Sequence, residues 1–219
     1  RLALYLSRNS PTDFADEPPK FAVSFLLASM LLLIFSTLAS ASPRGPQSYP
    51  PLVGELHPDF SALDQDGQPF NLFEERGKPV VLHICAVWCQ PCRESATVEG
   101  DLVAQLDAEL GADGWLLIDV LFQDTNANPS DQADAQAWRK ILGTPATTVH
   151  ADNSATADVY LLGEQIAIIP LFIVLDTDSR VTGLVEGFDN STMDTLADLV
   201  RNSRDPQVFA DGFEVDPER

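Results

Sequence analysis

The stretch Pro79 to Arg93 reads PVVLHICAVWCQPCR, and it constrains the whole chain. The apolar run Val80 to Val87 has the length and β-branched content of a buried strand. Trp88, the Cys89-Gln90-Pro91-Cys92 motif and Arg93 follow, and they read as the start of a helix. Two thiols at this spacing on a helix's first turn are close enough to form a disulfide. The partial positive charge at a helix N-terminus favours thiolate at Cys89. A thiolate attacks a disulfide where a thiol does not, and the second Cys then releases the mixed disulfide by attacking it in turn. Pro91 removes a backbone N–H and holds the turn. The competing use of such a pair is half of a zinc site. That requires a second close pair of ligands, and Cys85, His57, His83 and His150 make none. The pattern predicts redox chemistry at two thiols, with no metal and no cofactor.

Composition narrows the partners. The formal net charge is −20, from 33 acidic and 13 basic residues, so a phosphate backbone is repelled and nucleic acid is not an expected partner. Three cysteines in 219 residues cannot form a stapling framework, which again assigns the pair to chemistry.

Taken in order, residues 1–20 are a polar segment to which no fold is assigned. Residues 21–41 (FAVSFLLASMLLLIFSTLASA) carry no charge and are about long enough to cross a bilayer. Ala39-Ser40-Ala41 fits a signal-peptidase site, so the segment reads as a signal peptide or an uncleaved membrane anchor. No Cys follows it, which excludes a lipoprotein anchor. Either case places the remainder outside the cytoplasm, periplasmic or secreted. Residues 42–51 are a Pro- and Ser-containing linker, 52–203 the folded domain and 204–219 an acidic tail.

Within the domain, Phe60–Leu63 and Gln68–Leu72 flank Asp66-Gly67 as a hairpin. Leu102, Val103, Leu106 and Leu110 recur at helical spacing after Cys92, with Gly111 as the stop. Trp115–Phe122 reads as a second buried strand. Asn128-Pro129-Ser130 opens a helix ended by Gly143, Thr147–His150 is a short strand, and Ser154–Leu162 is a short helix. Pro170 sits at the start of a strand running to Asp176, which pairs with Arg180–Phe188. Ser191-Thr192-Met193-Asp194 resembles a capping box before a last helix with Met193, Leu196, Leu199 and Val200 on one face. Strands alternate with helices and end in a hairpin, which predicts an α/β fold: a mixed central sheet covered on both faces.

The chain resembles the thioredoxin fold and, more narrowly, the TlpA/ResA-like (AhpC/TSA-related) extracytoplasmic thiol-disulfide oxidoreductases. The matching pieces are Pro58-Asp59-Phe60 with the Asp66-Gly67 hairpin, Gly77-Lys78-Pro79-Val80-Val81-Leu82, Trp88-Cys89-Gln90-Pro91-Cys92-Arg93, Ile169-Pro170 with the strand to Asp176, and Val181 to Gly187. They cover about Leu52 to Arg201. The resemblance implies a thioredoxin-like fold with an N-terminal β-hairpin extension. It implies a thiol-disulfide oxidoreductase that exchanges protein disulfides, with reduction of clients the favoured direction. Its partners would be protein thiol or disulfide clients and an upstream membrane redox donor. It implies Cys89 as nucleophile and Cys92 as resolving thiol. Pro170 would be cis against the disulfide, and Trp88, Gln90, Pro91, Ile169 and Pro170 would form the docking surface.

Two positions depart from the family. His83 stands where Asp or Asn is usual; it is either a proton acceptor for Cys92 or a buried His satisfied by a carbonyl. Cys85 replaces an aromatic or aliphatic residue and reads as a small buried hydrophobe. Cys85 and Cys89 also have the spacing of copper chaperones of the same fold, with His150 as a third ligand, an alternative function. A peroxiredoxin-like antioxidant role is the other alternative. It is disfavoured because Ala86 stands where peroxiredoxins carry Thr.

Overall fold

The computed structural model describes residues 51–150 and 168–204. The segments 1–50 and 205–219 and the expected helix Ser154–Leu162 lie outside these. Among the described residues no helix is long and apolar enough to cross a membrane.

The chain enters as an extended segment and forms β1 (Ser61–Asp64) and β2 (Pro69–Asn71). The turn between them is held by the Asp64 carboxylate, which accepts from the backbone N–H groups of Asp66 and Gln68. Gly67 supplies the positive φ of +76° that this turn requires. A 3-10 turn, Leu72–Glu75, leads to β3 (Val80–Ala86), all of whose residues are buried. Helix α1 (Gln90–Leu110), β4 (Leu116–Gln123), α2 (Gln132–Leu142) and β5 (Thr147–His150) follow. After residue 168 come β6 (Leu171–Leu175), β7 (Val181–Glu186) and α3 (Thr192–Asn202).

The seven strands form one sheet in the order β2-β1-β5-β4-β3-β6-β7. β3 pairs parallel with β4, and β4 with β5; β6 and β7 join antiparallel, as do β1 and β5. The two parallel crossovers run in one direction across the sheet. Right-handed connections therefore place α1 and α2 on the same face. Helix α3 joins them: Leu196, Ala197 and Val200 pack with Leu102 and Leu106 of α1 against Val81, Leu117, Phe172 and Val174. The opposite face carries Val80, Leu82, Ile84, Ile118, Val120 and Ile173, closed by Phe60, Phe70 and Leu72 from the N-terminal extension. The sheet is thus covered on both faces, by α-helices on one and by the hairpin segment on the other.

Residues 54–57 lie along the outer side of β7. Val181 accepts from Gly54 N–H at 2.7 Å and donates to Glu55 O at 2.9 Å, and His57 N–H donates to Ser179 O. The expected strand limits hold to within a residue or two, but two helix starts differ. Helix α2 is capped by Asp131 in a reciprocal box with Asp134, while Ser130 is buried and donates to Leu121 O. Gly143, in the left-handed region, ends α2 as expected. At α3 the Ser191 side chain makes no cap. Instead Asp189 accepts from Ser191 N–H and exchanges hydrogen bonds with the Thr192 hydroxyl just ahead of the helix.

Candidate active site

Everything at the active end follows from where β3 stops. Past Ala86 the backbone turns, with Val87 N–H on Gln123 O and Cys89 N–H on Ala86 O. Cys89 takes the extended conformation of an N-cap, and Pro91 fits the first helical turn, where its missing N–H would have no partner. The Cys89 sulfur accepts from Cys92 N–H at 3.2 Å, the cap hydrogen bond that an Oγ would otherwise make. Cys89 and Cys92 are joined by a disulfide, with Cα atoms 5.3 Å apart.

Exposure separates the two sulfurs' residues: Cys92 is wholly buried, whereas Cys89 retains 3%. Trp88 beside it is 45% exposed, its indole N–H held by Gln123 Oε1 at 2.9 Å. Gln90 and Pro91 are exposed, and Gln90 donates to Glu94. Arg93 turns back to donate to Val87 O at 2.8 Å. The Ile169–Pro170 bond is cis. Leu171 of β6 pairs with Ile84 of β3, so one further step of register sets Pro170 level with Cys85 and Ile169 level with Ala86. Ile169 packs at the border of the cluster that contains both Cys89 and Cys92, and Ile168 before it is exposed.

Beneath the disulfide the helix-covered face of the sheet is polar. His83 is fully buried and stacks on Phe172, ring centroids 4.3 Å apart. Its Nδ1 lies 2.8 Å from Glu99 Oε1 of α1 and 2.9 Å from Asp119 Oδ1 of β4. Its Nε2 is 3.1 Å from Ser95 Oγ, whose hydroxyl donates to Cys92 O at 2.9 Å. The outer carboxylate oxygens are also held. Trp138 Nε1–H donates to Asp119 Oδ2 at 2.9 Å, and the Thr144 hydroxyl donates to Glu99 Oε2.

Burial opposes charge on His83, but its contacts with Asp119 and Glu99 outweigh it and hold the imidazole well above its ordinary value. Burial pushes the Cys85 thiol up to about 12, so it stays protonated and donates to its near neighbour His83 O. The positive charge on His83 is therefore carried by the two carboxylates. Burial and then the charge of Asp119 raise Glu99 to about 8.

The structure brings Cys89, Cys92, Trp88, Ile169 and Pro170 to one end of the sheet, and sets His83 one hydroxyl away from the Cys92 carbonyl. Cys85 is buried, as expected of a small hydrophobe. His83, Cys85 and Asp119 offer ligand atoms within 4.8 Å of one another. Nδ1 of His83 already bonds two carboxylates there, however, and Cys89 is engaged with Cys92. His150 pairs in register with Leu121, which separates it from Cys85. Sequence reasoning missed Ser95, Glu99 and Asp119. A signal existed: Asp119 interrupts the apolar run LLIDVLF, and Glu99 falls on the α1 face that also carries Cys92, Ser95, Leu102 and Leu106.

The chain is 32% identical over 97 residues to the thiol:disulfide interchange protein DsbE of Escherichia coli K12, covering 43% of this chain and 45% of that one. It spans less than two thirds of the curated relatives it matches. Among solved structures, a thioredoxin-family thiol:disulfide interchange protein from Chlorobium tepidum matches with a TM-score of 0.52 at 21% identity, over 67% of this chain and 93% of that one. Peroxidoxin BcpB from Mycobacterium tuberculosis matches with a TM-score of 0.54 at 21% identity, over 70% and 98%. Disulfide exchangers and a peroxidoxin thus share this fold, and the fold alone does not choose between their chemistries. With residues 53–183 matching the family's own pattern, the chain belongs to the AhpC/TSA family.

Proposed function

We propose that this protein is a thiol–disulfide oxidoreductase that exchanges protein disulfides outside the cytoplasm, with reduction of clients the favoured direction. The observation that carries this reading is the Cys89–Cys92 disulfide capping α1, with Cys89 retaining a little exposure beside the exposed Trp88 and Cys92 wholly buried. In the reduced protein the Cys89 thiolate, favoured by the helix N-terminus, attacks a client disulfide. A Cys89–client bond forms and one client thiolate leaves. Cys92 then gives up its proton and attacks Cys89 Sγ, so the internal disulfide forms and the second client thiolate leaves. The client gains two electrons, and a dithiol donor, here a membrane redox partner, restores the protein.

Trp88, Gln90, Pro91, Ile169 and Pro170 would dock the client chain, with exposed apolar surface beside Cys89 as the support. His83, the expected proton acceptor for Cys92, is held charged by Glu99 and Asp119 and would act on the pair through that charge. The apolar segment 21–41 would export or tether the domain 52–203 through the linker 42–51. Cys89→Ser should abolish turnover of a mixed-disulfide substrate, and Cys92→Ala should accumulate the client adduct. Retained turnover in Cys89→Ser would reject the reading.

A further inference from the structure

Trp88 stands beside Cys89 with nearly half of its surface open, yet the dipeptide Val87-Trp88 is firmly tied. Val87 N–H donates to Gln123 O at 2.9 Å, Val87 O accepts from Arg93 at 2.8 Å, and the Trp88 indole N–H donates to Gln123 Oε1 at 2.9 Å. Gln123 thus supplies both the backbone tie before Trp88 and the tie to its ring. An indole N–H only donates, so it requires an acceptor at that place.

Gln123 reaches the indole through an irregularity of the sheet. Cys85 pairs with Leu121 but Ala86 pairs with Gln123, so Phe122 is an extra residue on β4. Strict alternation would turn Gln123 to the helix-covered face, with Asp119 and Leu121. A bulge beside an active site re-aims a side chain, and here it delivers an amide oxygen to Trp88. The chain beyond is closed on itself. Gln123 bridges to Pro129, Asp124 N–H donates to Asn128 O, and the Asp124 carboxylate accepts from the backbone N–H groups of Asn126 and Asn128. The Ser130 hydroxyl ties this turn back to Leu121 O. The acceptor for Trp88 is therefore carried by a braced strand end.

We propose that Gln123 is a positioning residue that fixes the Trp88 indole as a preformed face for the client chain. The inference rests on the exchange reading above and deepens it. Gln123 acts through Trp88 and not on the sulfurs. Without its amide oxygen the indole has to be ordered as the client docks. That weakens docking and leaves the attack of Cys89 on the client unaltered.

The test is single-turnover reduction of a short synthetic peptide with one intrachain disulfide by the prereduced full chain, across peptide concentrations. The native chain, Gln123→Leu, Trp88→Phe and the double variant form a cycle that isolates the coupling between the two side chains. Gln123→Leu should raise the half-saturating peptide concentration about three- to tenfold, the size of one hydrogen bond, with the maximal rate changed by less than about twofold. In the Trp88→Phe background, whose ring has no N–H, Gln123→Leu should add less than about twofold. An equal rise in both backgrounds would overturn the proposal, because Gln123 would then act by another route. So would an unchanged half-saturating concentration, or a loss confined to the maximal rate. Should Gln123→Leu fail to fold, Gln123→Ser, too short to reach the indole, takes its place in the same cycle. A native chain that reduces the peptide at no concentration would overturn the exchange reading itself.

Discussion

Two histidines are fully buried in this fold, and their surroundings push them in opposite directions. His83 sits among two carboxylates and is held charged. His57 lies in the segment against β7, edge-on to Phe60, with Nδ1 2.7 Å from Pro58 O. Burial dominates there and lowers it to about 4, against the opposing pull of the Pro58 carbonyl and Asp59. Equal burial thus gives opposite charge states. What decides is how many anionic acceptors the neighbouring elements bring, and only the helix-covered face brings two.

The comparison breaks most visibly at His83. His83→Leu would leave Glu99 and Asp119 adjacent, buried and without their cation, at a cost of about 3–5 kcal/mol in urea unfolding at neutral pH. A loss below about 1 kcal/mol would mean the cluster is not held by charge. His57 predicts an acid effect. The unfolded chain binds the proton at its ordinary value of 6.5, the folded chain only near 4. Stability from this group therefore falls as pH drops from 6.5 towards 4, by about 3 kcal/mol in all. Raised Glu99 works in the other sense, losing stability as pH rises from 4.5 through about 8. The measurement is therefore the difference between the native chain and His57→Leu, which should shrink towards pH 4; a difference independent of pH would break the contrast. Trp138→Phe removes one donor from Asp119 and should cost about 1–3 kcal/mol. Ser95→Ala should have the smallest effect on stability, about 1 kcal/mol, and a thermal scan can resolve it.

How much of this was legible follows from the kind of signal each part leaves. β3 and β4 announced themselves by apolar runs, and the cysteine pair by its spacing after a strand. The cis Pro170 came through resemblance, since no local pattern distinguishes it from a trans proline beginning a strand. Glu99 and Asp119 are one step harder. Each is visible as an acid in an apolar pattern, yet only the register of β3 against β4, pairing His83 with Asp119, brings them together. Caps fail for a different reason. Ser130 and Asp131 are adjacent and both qualify, and the tertiary structure assigns Ser130 to the β4 carbonyl of Leu121 instead. At α3 the Ser191 hydroxyl donates to the Asp189 carboxylate instead of accepting from the helix N–H groups.

The segment 54–57 against β7 also bears on life in a crowded compartment. A sheet of seven strands has two flanks, and an open flank recruits the strands of other molecules. Here one flank is a three-residue strand that begins with Pro69, too short and too poor in donors to template a neighbour. The other already has Val181 occupied by Gly54 and Glu55. Under the proposed exchange function, in which client chains are held by a transient sulfur bond, the closed flanks would keep those chains from adding their backbones to this sheet.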